Sequence, residues 1–145
     1  MQKAFLGCFL ASLLISLPTS AANPQHLEQL LKTNNCPRCD LSNADLSNKN
    51  LSAANLQEAN LSNANLVQVT LSRANLNRAN LQKANLQGAY LTQSNLVEAN
   101  LQKTSLIEAN LAQVFLFRAN LQKANLQGAY LEQSNLIEAN LQGAN

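Results

Sequence analysis

The sequence has few of the residues that usually build active sites and charged binding surfaces. Its 145 residues include no Trp and one His, aromatic residues amount to 4%, and charged residues amount to 12% with a net charge of +2. So small a charge bias gives no sign of a nucleic-acid footprint or of an acidic tail. The scarcity of aromatic side chains also means that a core must be filled by the same aliphatic side chain again and again.

Half of the chain consists of three residue types. Leu, Asn and Ala occur 29, 22 and 21 times and together account for 72 of the 145 residues. An ordinary globular domain has no such bias, which is typical of internal repeats instead. The length fits a single domain.

The first 22 residues are predicted to be a secretory signal peptide. Lys3 gives a positive start, and the apolar run at 4–15 is too short to span a bilayer comfortably. Small residues then lead to a predicted cleavage site after Ala22. The alternatives are an uncleaved membrane anchor and lipidation at Cys8.

A period of five residues runs through the rest of the chain. From Leu41 to Leu141 every fifth residue is Leu, which gives 21 Leu without an exception. The site two before Leu is Ala at 15 of 21 positions, and the site directly before Leu is Asn at 15 of 21. Five fits neither the helical nor the strand period. Each unit must therefore be a short straight piece followed by a bend, stacked on copies of itself as a solenoid.

The unit A-N-L-x-x resembles the pentapeptide-repeat family, whose consensus is A-(D/N)-L-x-x, and the resemblance covers residues 41–145. It implies an all-β fold, a right-handed quadrilateral parallel β-helix of about five coils, with Leu and the small residue pointing inward. The chain is then expected to comprise a signal peptide at 1–22, a capping helix and junction at 23–40, and the β-helix at 41–145.

Two features of the sequence favour a coil of twenty residues. Residues 81–100 and 121–140 differ at only two positions, and their offset of forty fits two coils of twenty. At steps of twenty, opposite charges alternate in one outward column, as stacked neighbours prefer, and this column reads Glu58, Arg78, Glu98, Arg118 and Glu138. A second column stacks like charges at a modest cost, since long side chains can splay into water; it reads Lys83, Lys103 and Lys123.

The residues before the first repeat predict a short helix that covers one end of the solenoid. Asn23 and Pro24 are favourable as N-cap and first helical residue. Leu27, Leu30 and Leu31 form one apolar stripe. We therefore expect a helix at about 24–33.

Cys36 and Cys39 form a C-P-R-C motif at the junction. Both occupy inward sites of the five-residue pattern, and an even count of Cys in an exported chain favours a disulfide. The prediction is a Cys36–Cys39 staple between the helix and the β-helix. The alternative is a redox C-x-x-C motif, although no thioredoxin-like context surrounds it. A metal site would lack ligands beyond His26.

No set of residues resembles a catalytic site. The sequence contains no recognisable acid–base pair or nucleophile–His arrangement, and the Gly residues of the repeat form no phosphate loop. A filled interior offers no cleft for a ligand. No catalytic, cofactor-binding or metal-binding residues are therefore predicted, no cofactor is expected, and the chain is expected not to be an enzyme.

Residues that break the repeat on its outer surface are the candidate interaction surface. Exposed apolar side chains on a soluble rod can mark a docking site, and those that stand out are Tyr90, Val97, Phe115, Phe117, Tyr130 and Ile137. The alternative is that they only shield ladder edges. The C-terminal coil has no predicted helix over it, so end-to-end self-association there is a further hypothesis.

The sequence thus predicts a non-enzymatic structural or protein–protein interaction module with an unknown protein partner. The resemblance favours export to a periplasm or thylakoid lumen, with no nucleic-acid partner and no membrane contact after signal cleavage. One alternative is a thiol–disulfide redox role of Cys36 and Cys39. Another is the gyrase-binding DNA mimicry of some family members, which needs a strongly acidic surface that this chain lacks.

Overall fold

Within the described residues, one short helix precedes a parallel β-solenoid. The structure is a computed structural model that describes residues 22–145, so the predicted signal peptide lies outside the described residues up to Ala21. Helix α1 spans Pro24–Thr33. The first β-bridge of the solenoid starts at Asn35 and the last one reaches Asn140.

Every bridge of the solenoid joins residues twenty positions apart. The series begins with Asn35 and Asn55, ends with Asn120 and Asn140, and all of its bridges are parallel. One coil therefore contains twenty residues, or four pentapeptides. Residues 22–145 form isolated single-residue bridges rather than continuous strands, because a turn interrupts the chain after every short straight piece. The β pairing expected from the sequence is present in this reduced form.

Each pentapeptide bends at the two residues that follow Leu. The N–H of Ala84 donates to the carbonyl of Leu81 at 2.9 Å, and Lys83 between them has a φ of 60°. A positive φ at the third of four residues is the pattern of a type II turn. Side chains other than Gly and Asn adopt it reluctantly. The chain nevertheless repeats it along the solenoid, because the inter-coil hydrogen bonds hold the backbone there.

Leu side chains fill the interior in stacked columns. All Leu of the repeat from Leu41 to Leu121 are at most 2% exposed. Cys36 occupies the Leu site twenty residues before Leu56 and is fully buried. Lys49 breaks the pattern at a small inward site, and its side chain is exposed.

The last coil is covered less well than the coils below it. Leu126, Leu131 and Leu136 are only partly buried, and Leu141 is 42% exposed. These side chains have the same local sequence context as buried Leu of earlier coils. The difference follows from the number of coils stacked against them, since each coil of a solenoid contacts only its neighbours.

Helix α1 has a capping residue at each end. The side chain of Asn23 accepts hydrogen bonds from the N–H groups of Gln25 and His26, at 3.0 and 3.4 Å. Asn34 ends the helix in the left-handed region with φ 55°, and its N–H donates to the carbonyl of Leu30. Leu30 is fully buried against the solenoid core, so α1 packs on the first coil.

Candidate interaction surface

The Asn before each Leu supplies the hydrogen bond that the backbone of the coil leaves open. In each pentapeptide between residues 51 and 125, four of the five N–H groups donate to backbone carbonyls, within the turn or on the neighbouring coils. The remaining N–H, directly after Leu, donates to the Asn side chain two residues earlier, as Gln82 does to Oδ1 of Asn80 at 3.2 Å. The same oxygen also accepts from Nδ2 of Asn100 one coil away, at 3.2 Å. This Asx arrangement explains the outward Asn of the repeat.

Three of the six predicted surface residues occupy this Asn site. Tyr90, Phe115 and Tyr130 have no oxygen that can reach the N–H two residues later. No acceptor for the N–H groups of Thr92, Phe117 and Glu132 lies within hydrogen-bond distance in the described part of the chain. Each aromatic residue thus places an exposed ring beside a backbone donor that is left to solvent.

Four of the six residues lie together and form what we call the apolar strip: Val97, Phe115, Phe117 and Ile137. Val97, Phe117 and Ile137 follow one another at the same site of successive coils, and Phe115 lies two residues before Phe117. Phe115 and Ile137 are 51% and 63% exposed. The guanidinium of Arg118 lies 4.8 Å from the ring centre of Phe117, a cation–π contact at the border of the strip.

The two Tyr form a separate feature. Tyr90 and Tyr130 both pair with Asn110, so they lie in one column two coils apart. A column of amides lies between this column and Phe115, in which Gln93, Gln113 and Gln133 are linked by hydrogen bonds of 2.8 and 3.0 Å. The structure therefore divides the six predicted residues into the apolar strip and a tyrosine column.

Alternating charges border the apolar strip. The ion pairs join an Arg to the Glu one coil later: Arg38 to Glu58 at 3.0 Å, Arg78 to Glu98 at 2.7 Å and Arg118 to Glu138 at 2.6 Å. The hydrogen bond from Arg38 lowers the pKa of Glu58, and those to Glu98 and Glu138 raise the pKa of Arg78 and Arg118. The sequence prediction missed Arg38, which one further step of twenty from Glu58 would have found.

Cys36 and Cys39 are joined by a disulfide with an S–S distance of 2.02 Å. Cys36 is fully buried and Cys39 is 4% exposed. The sulfur of Cys36 lies 3.2 Å from the carbonyl oxygen of His26 in α1. The disulfide therefore lies between the helix and the first coil.

Polar groups of α1 and its N-cap also bind the edge of the first coil. The N–H of Asp40 donates to Nδ1 of His26 at 2.9 Å, and Nε2 of Gln29 donates to the carbonyl of Asn35 at 2.9 Å. Hydrogen bonds from the side chain and N–H of Ser42 lower the pKa of Asp40. His26 thus has a structural contact at this edge.

Potential metal ligands do not cluster in the described part of the chain. Within residues 22–145, no group of three or more His, Cys, Asp or Glu could hold a metal ion. A shallow groove on the outside of the coils is lined by Ser52, Ala53, Ser72, Arg73, Thr92 and Gln93. Among these six residues Arg73 is the one with a charged side chain, and it donates to Oε1 of Gln93 at 3.1 Å.

The family model for pentapeptide repeats matches eight copies within residues 35–73, 74–113 and 116–145. A pentapeptide repeat protein from the cyanobacterium Cyanothece 51142 is similar, with 31% identity, a TM-score of 0.78, and coverage of 83% of this chain and 94% of that chain. A pentapeptide repeat protein from the Arabidopsis thaliana thylakoid lumen has 28% identity, a TM-score of 0.56, and coverage of 77% and 68%.

QnrB1, a plasmid-mediated fluoroquinolone resistance protein, is similar at 21% identity and a TM-score of 0.53, covering 76% of this chain and 61% of that chain. So low an identity shows a shared fold alone. Among proteins with curated descriptions, none matches this chain. Within residues 22–145, α1 is too short and too polar to cross a membrane.

Proposed function

This chain belongs to the pentapeptide-repeat family, and on that premise we propose that it is a non-enzymatic module that binds a partner protein through the apolar strip. Pentapeptide-repeat proteins are generally structural or interaction modules. The described residues support this role because Leu side chains fill the interior, so the side chains that could contact a partner lie on the outer surface. Exposed aromatic and aliphatic side chains next to Arg are typical of protein-binding sites.

The strongest support for this proposal is the exposed ring of Phe115 at a site where the repeat has Asn. The repeat places Asn at this site, where its oxygen would accept the N–H of Phe117. The chain instead has a half-exposed ring there, which loses that hydrogen bond and exposes apolar surface to water. Both effects lower the stability of the isolated rod. A partner that covers the ring and accepts the N–H of Phe117 would remove both costs.

Phe115→Asn tests the proposal because it should improve folding while it removes binding. We expect unfolding to become about 0.5–1.5 kcal/mol less favourable, since the new side chain can accept the N–H of Phe117. Crosslinked partner capture from the exported compartment should fall strongly for Phe115→Asn and for Phe117→Ser. Tyr130→Asn makes the matched change outside the strip and should leave capture intact. Capture by folded Phe115→Asn and Phe117→Ser at the native level would refute the proposal.

The finer architecture forms part of the same proposal. We infer a right-handed, four-sided coil, about five coils between residues 41 and 145, and a capping role for α1. Four bridge positions per twenty residues and the burial of Leu30, on α1, against the solenoid core support this architecture. Replacing Leu30 with Asp should destabilise the first coils if α1 is a cap, as measured by hydrogen exchange. Unchanged protection of residues 36–55 would contradict the cap.

We propose that the disulfide is a structural staple and that the chain is exported. The burial of Cys36 and Cys39 leaves little sulfur accessible for thiol–disulfide exchange, and a relative from the thylakoid lumen supports an exported compartment. Replacing both Cys with Ser should lower thermal stability. Unchanged stability with a loss of disulfide-exchange activity would favour the redox alternative. Fractionation of cells expressing the tagged chain would test export, and retention in the cytoplasm would contradict it.

A second copy of the chain is a further proposed partner, through the coil at 126–145. Leu141 is 42% exposed there, and the N–H groups of Leu131 and Leu136 have no acceptor among residues 22–145. Unpaired edges of this kind favour β pairing with another chain. Sedimentation of the 145-residue chain should show concentration-dependent dimers, and a strict monomer at high concentration would refute this contact.

A further inference from the structure

Three Lys side chains occupy the same outward site in three successive coils. This lysine column consists of Lys83, Lys103 and Lys123, and all three side chains are exposed. The coils are in direct register here, because the N–H of Lys83 donates to the carbonyl of Gln102 and that of Lys103 to the carbonyl of Gln122, both at 2.9 Å. Neighbouring coils lie about 4.8 Å apart, so the column spans roughly 10 Å.

The positive charges of the lysine column have no ion-pair partner, unlike those of what we call the Arg–Glu column, which consists of Arg38, Glu58, Arg78, Glu98, Arg118 and Glu138. In residues 22–145, no Asp or Glu oxygen lies within 4.0 Å of these three ammonium groups. Arg38, Arg78 and Arg118 each have a Glu on the next coil. Like charges that face each other on paired strands are destabilising. The same fold thus neutralises one column by alternation and leaves the other with three stacked positive charges.

Amide side chains lie beside the lysine column, and within residues 22–145 no carboxylate forms an ion pair with it. A column of amides runs directly beside it, where Gln82 donates to Gln102 at 3.4 Å and Gln122 to Gln142 at 3.2 Å. Asp40 and Asp45 belong to the first coil, two coils before Lys83, and Glu98 and Glu108 lie at the turns before and after Lys103 along the chain. The two Asp accept hydrogen bonds from Ser42, Ser47 and neighbouring Asn side chains.

We propose that the lysine column binds an acidic, extended segment of a partner protein that lies along the solenoid axis. Acidic side chains at alternate positions of an extended strand are about 7 Å apart, which three flexible ammonium groups spread over roughly 10 Å can match. The Gln column beside them can hydrogen bond to the backbone of that segment. A net charge of +2 and a column of three charges favour a short acidic peptide over a nucleic acid. This inference rests on the proposed interaction function and names one chemical feature of the partner.

A synthetic peptide of four Glu-Ser repeats tests the proposal with the full chain. A labelled peptide should bind in a fluorescence anisotropy titration at low salt, and the matched peptide of four Gln-Ser repeats should not. Lys103→Gln removes the central charge and should weaken binding about tenfold, because this ammonium contacts the peptide from between two others. Lys49→Gln removes one charge outside the column and should leave binding within about twofold.

Lys103→Glu separates binding from folding. It places a carboxylate between two ammonium groups, as in the Arg–Glu column, so thermal stability should hold or rise. Binding of the acidic peptide should nevertheless be lost. A folded Lys103→Glu variant that binds the peptide as tightly as the native chain would overturn the proposal, as would equal binding of the Glu and Gln peptides.

Two further results would overturn the acidic segment as the ligand of the lysine column. Stronger binding to vesicles with anionic lipid than to the peptide would overturn the acidic segment as occupant. Loss of partner capture in Phe115→Asn together with full capture in Lys103→Glu would also overturn it, while the interaction function itself would stand. Reduced capture in both variants would support one partner that contacts the apolar strip and the lysine column.

Discussion

Two segments of the solenoid have nearly the same sequence but different surroundings. The inner repeat, residues 81–100, and the outer repeat, residues 121–140, differ only at Thr92/Glu132 and Val97/Ile137. In the inner repeat Leu91 is fully buried, whereas Leu131 at the same site of the outer repeat is only partly buried. Within residues 22–145, the inner repeat has a complete coil on each side, whereas the outer repeat has a complete coil on one side and residues 141–145 on the other. This sequence therefore determines the path of the coil, while the neighbouring coils determine how deeply its Leu side chains are buried.

The same comparison separates two Ser residues at the small inward site. Ser94 of the inner repeat is fully buried, and its hydroxyl has no hydrogen-bond partner among the described residues. Ser134 of the outer repeat donates to the carbonyl of Leu111 at 2.6 Å. One hydroxyl is thus buried at a cost and the other is satisfied, although the flanking residues match.

The largest expected difference between the repeats comes from truncating a Leu in each. Leu96→Ala should cost about 3–5 kcal/mol, because a fully buried side chain leaves a cavity between two coils. Leu136→Ala should cost about 1–2 kcal/mol, since this side chain is already partly exposed to solvent. Denaturant unfolding of the two variants measures the difference. Equal losses would show that burial in the stack does not differ between the repeats.

The different burial of Leu in the two repeats could not be predicted from the sequence, although the number of residues per coil could. Leu at every fifth residue and the duplication at an offset of forty are enough to predict twenty residues per coil, and Asn23 and Pro24 mark the start of α1. The role of Asn was missed, because its oxygen meets the N–H two residues later only in the turn geometry that the stack imposes. The identical context of Ser94 and Ser134 likewise contains no information on which hydroxyl finds an acceptor.

The grouping of the candidate surface residues could be predicted only in part. The step of twenty places Val97, Phe117 and Ile137 in one column, and the structure has them there. The same step places Tyr90 and Tyr130 in a second column and Gln93, Gln113 and Gln133 in a third, and the structure shows the hydrogen bonds between these Gln side chains. The significance of Phe115 depends on the backbone N–H of Phe117, which is left without an acceptor only in the geometry of the folded turn.

The Ser pair should respond to truncation with opposite signs. Ser94→Ala should stabilise the chain by about 1–2 kcal/mol, because it removes a buried hydroxyl without a partner. Ser134→Ala should destabilise it by about 0.5–1.5 kcal/mol, because it removes a hydrogen bond to Leu111. Thermal unfolding of both variants against the native chain provides the measurement. A loss of stability in Ser94→Ala would mean that its hydroxyl has a partner in solution.

Acid should weaken the first coils and leave the contrast between the repeats in place. Asp40, Asp45 and Glu58 have pKa values below the ordinary 3.8 and 4.5, from hydrogen bonds with Ser42, Ser47 and Arg38. Lowered pKa values in the folded state contribute stability that is complete above about pH 4.5 and is lost as the pH falls through the folded values. All three carboxyl groups precede both repeats.

Hydrogen-exchange protection, corrected for intrinsic rates, measures this effect at pH 6 and near pH 3. We expect protection to fall first in residues 36–60 and the ratio of protection between the inner and outer repeats to change little. An earlier loss in the outer repeat would contradict the prediction, because it would place the acid-sensitive contacts at the other end of the solenoid.

The smallest expected difference concerns the ion pairs of the two repeats. Glu98 of the inner repeat pairs with Arg78 and also lowers the electrostatic energy of Arg118, whereas Glu138 of the outer repeat pairs with Arg118 alone. Glu98→Gln should therefore lower the melting temperature slightly more than Glu138→Gln, and both effects should be smaller than those of the Ser pair, because the Arg side chains are exposed. Adding about 1 M salt should remove the difference, since screening then acts within roughly 3 Å. A difference that persists in high salt would have to come from packing of the Glu side chains and not from their charge.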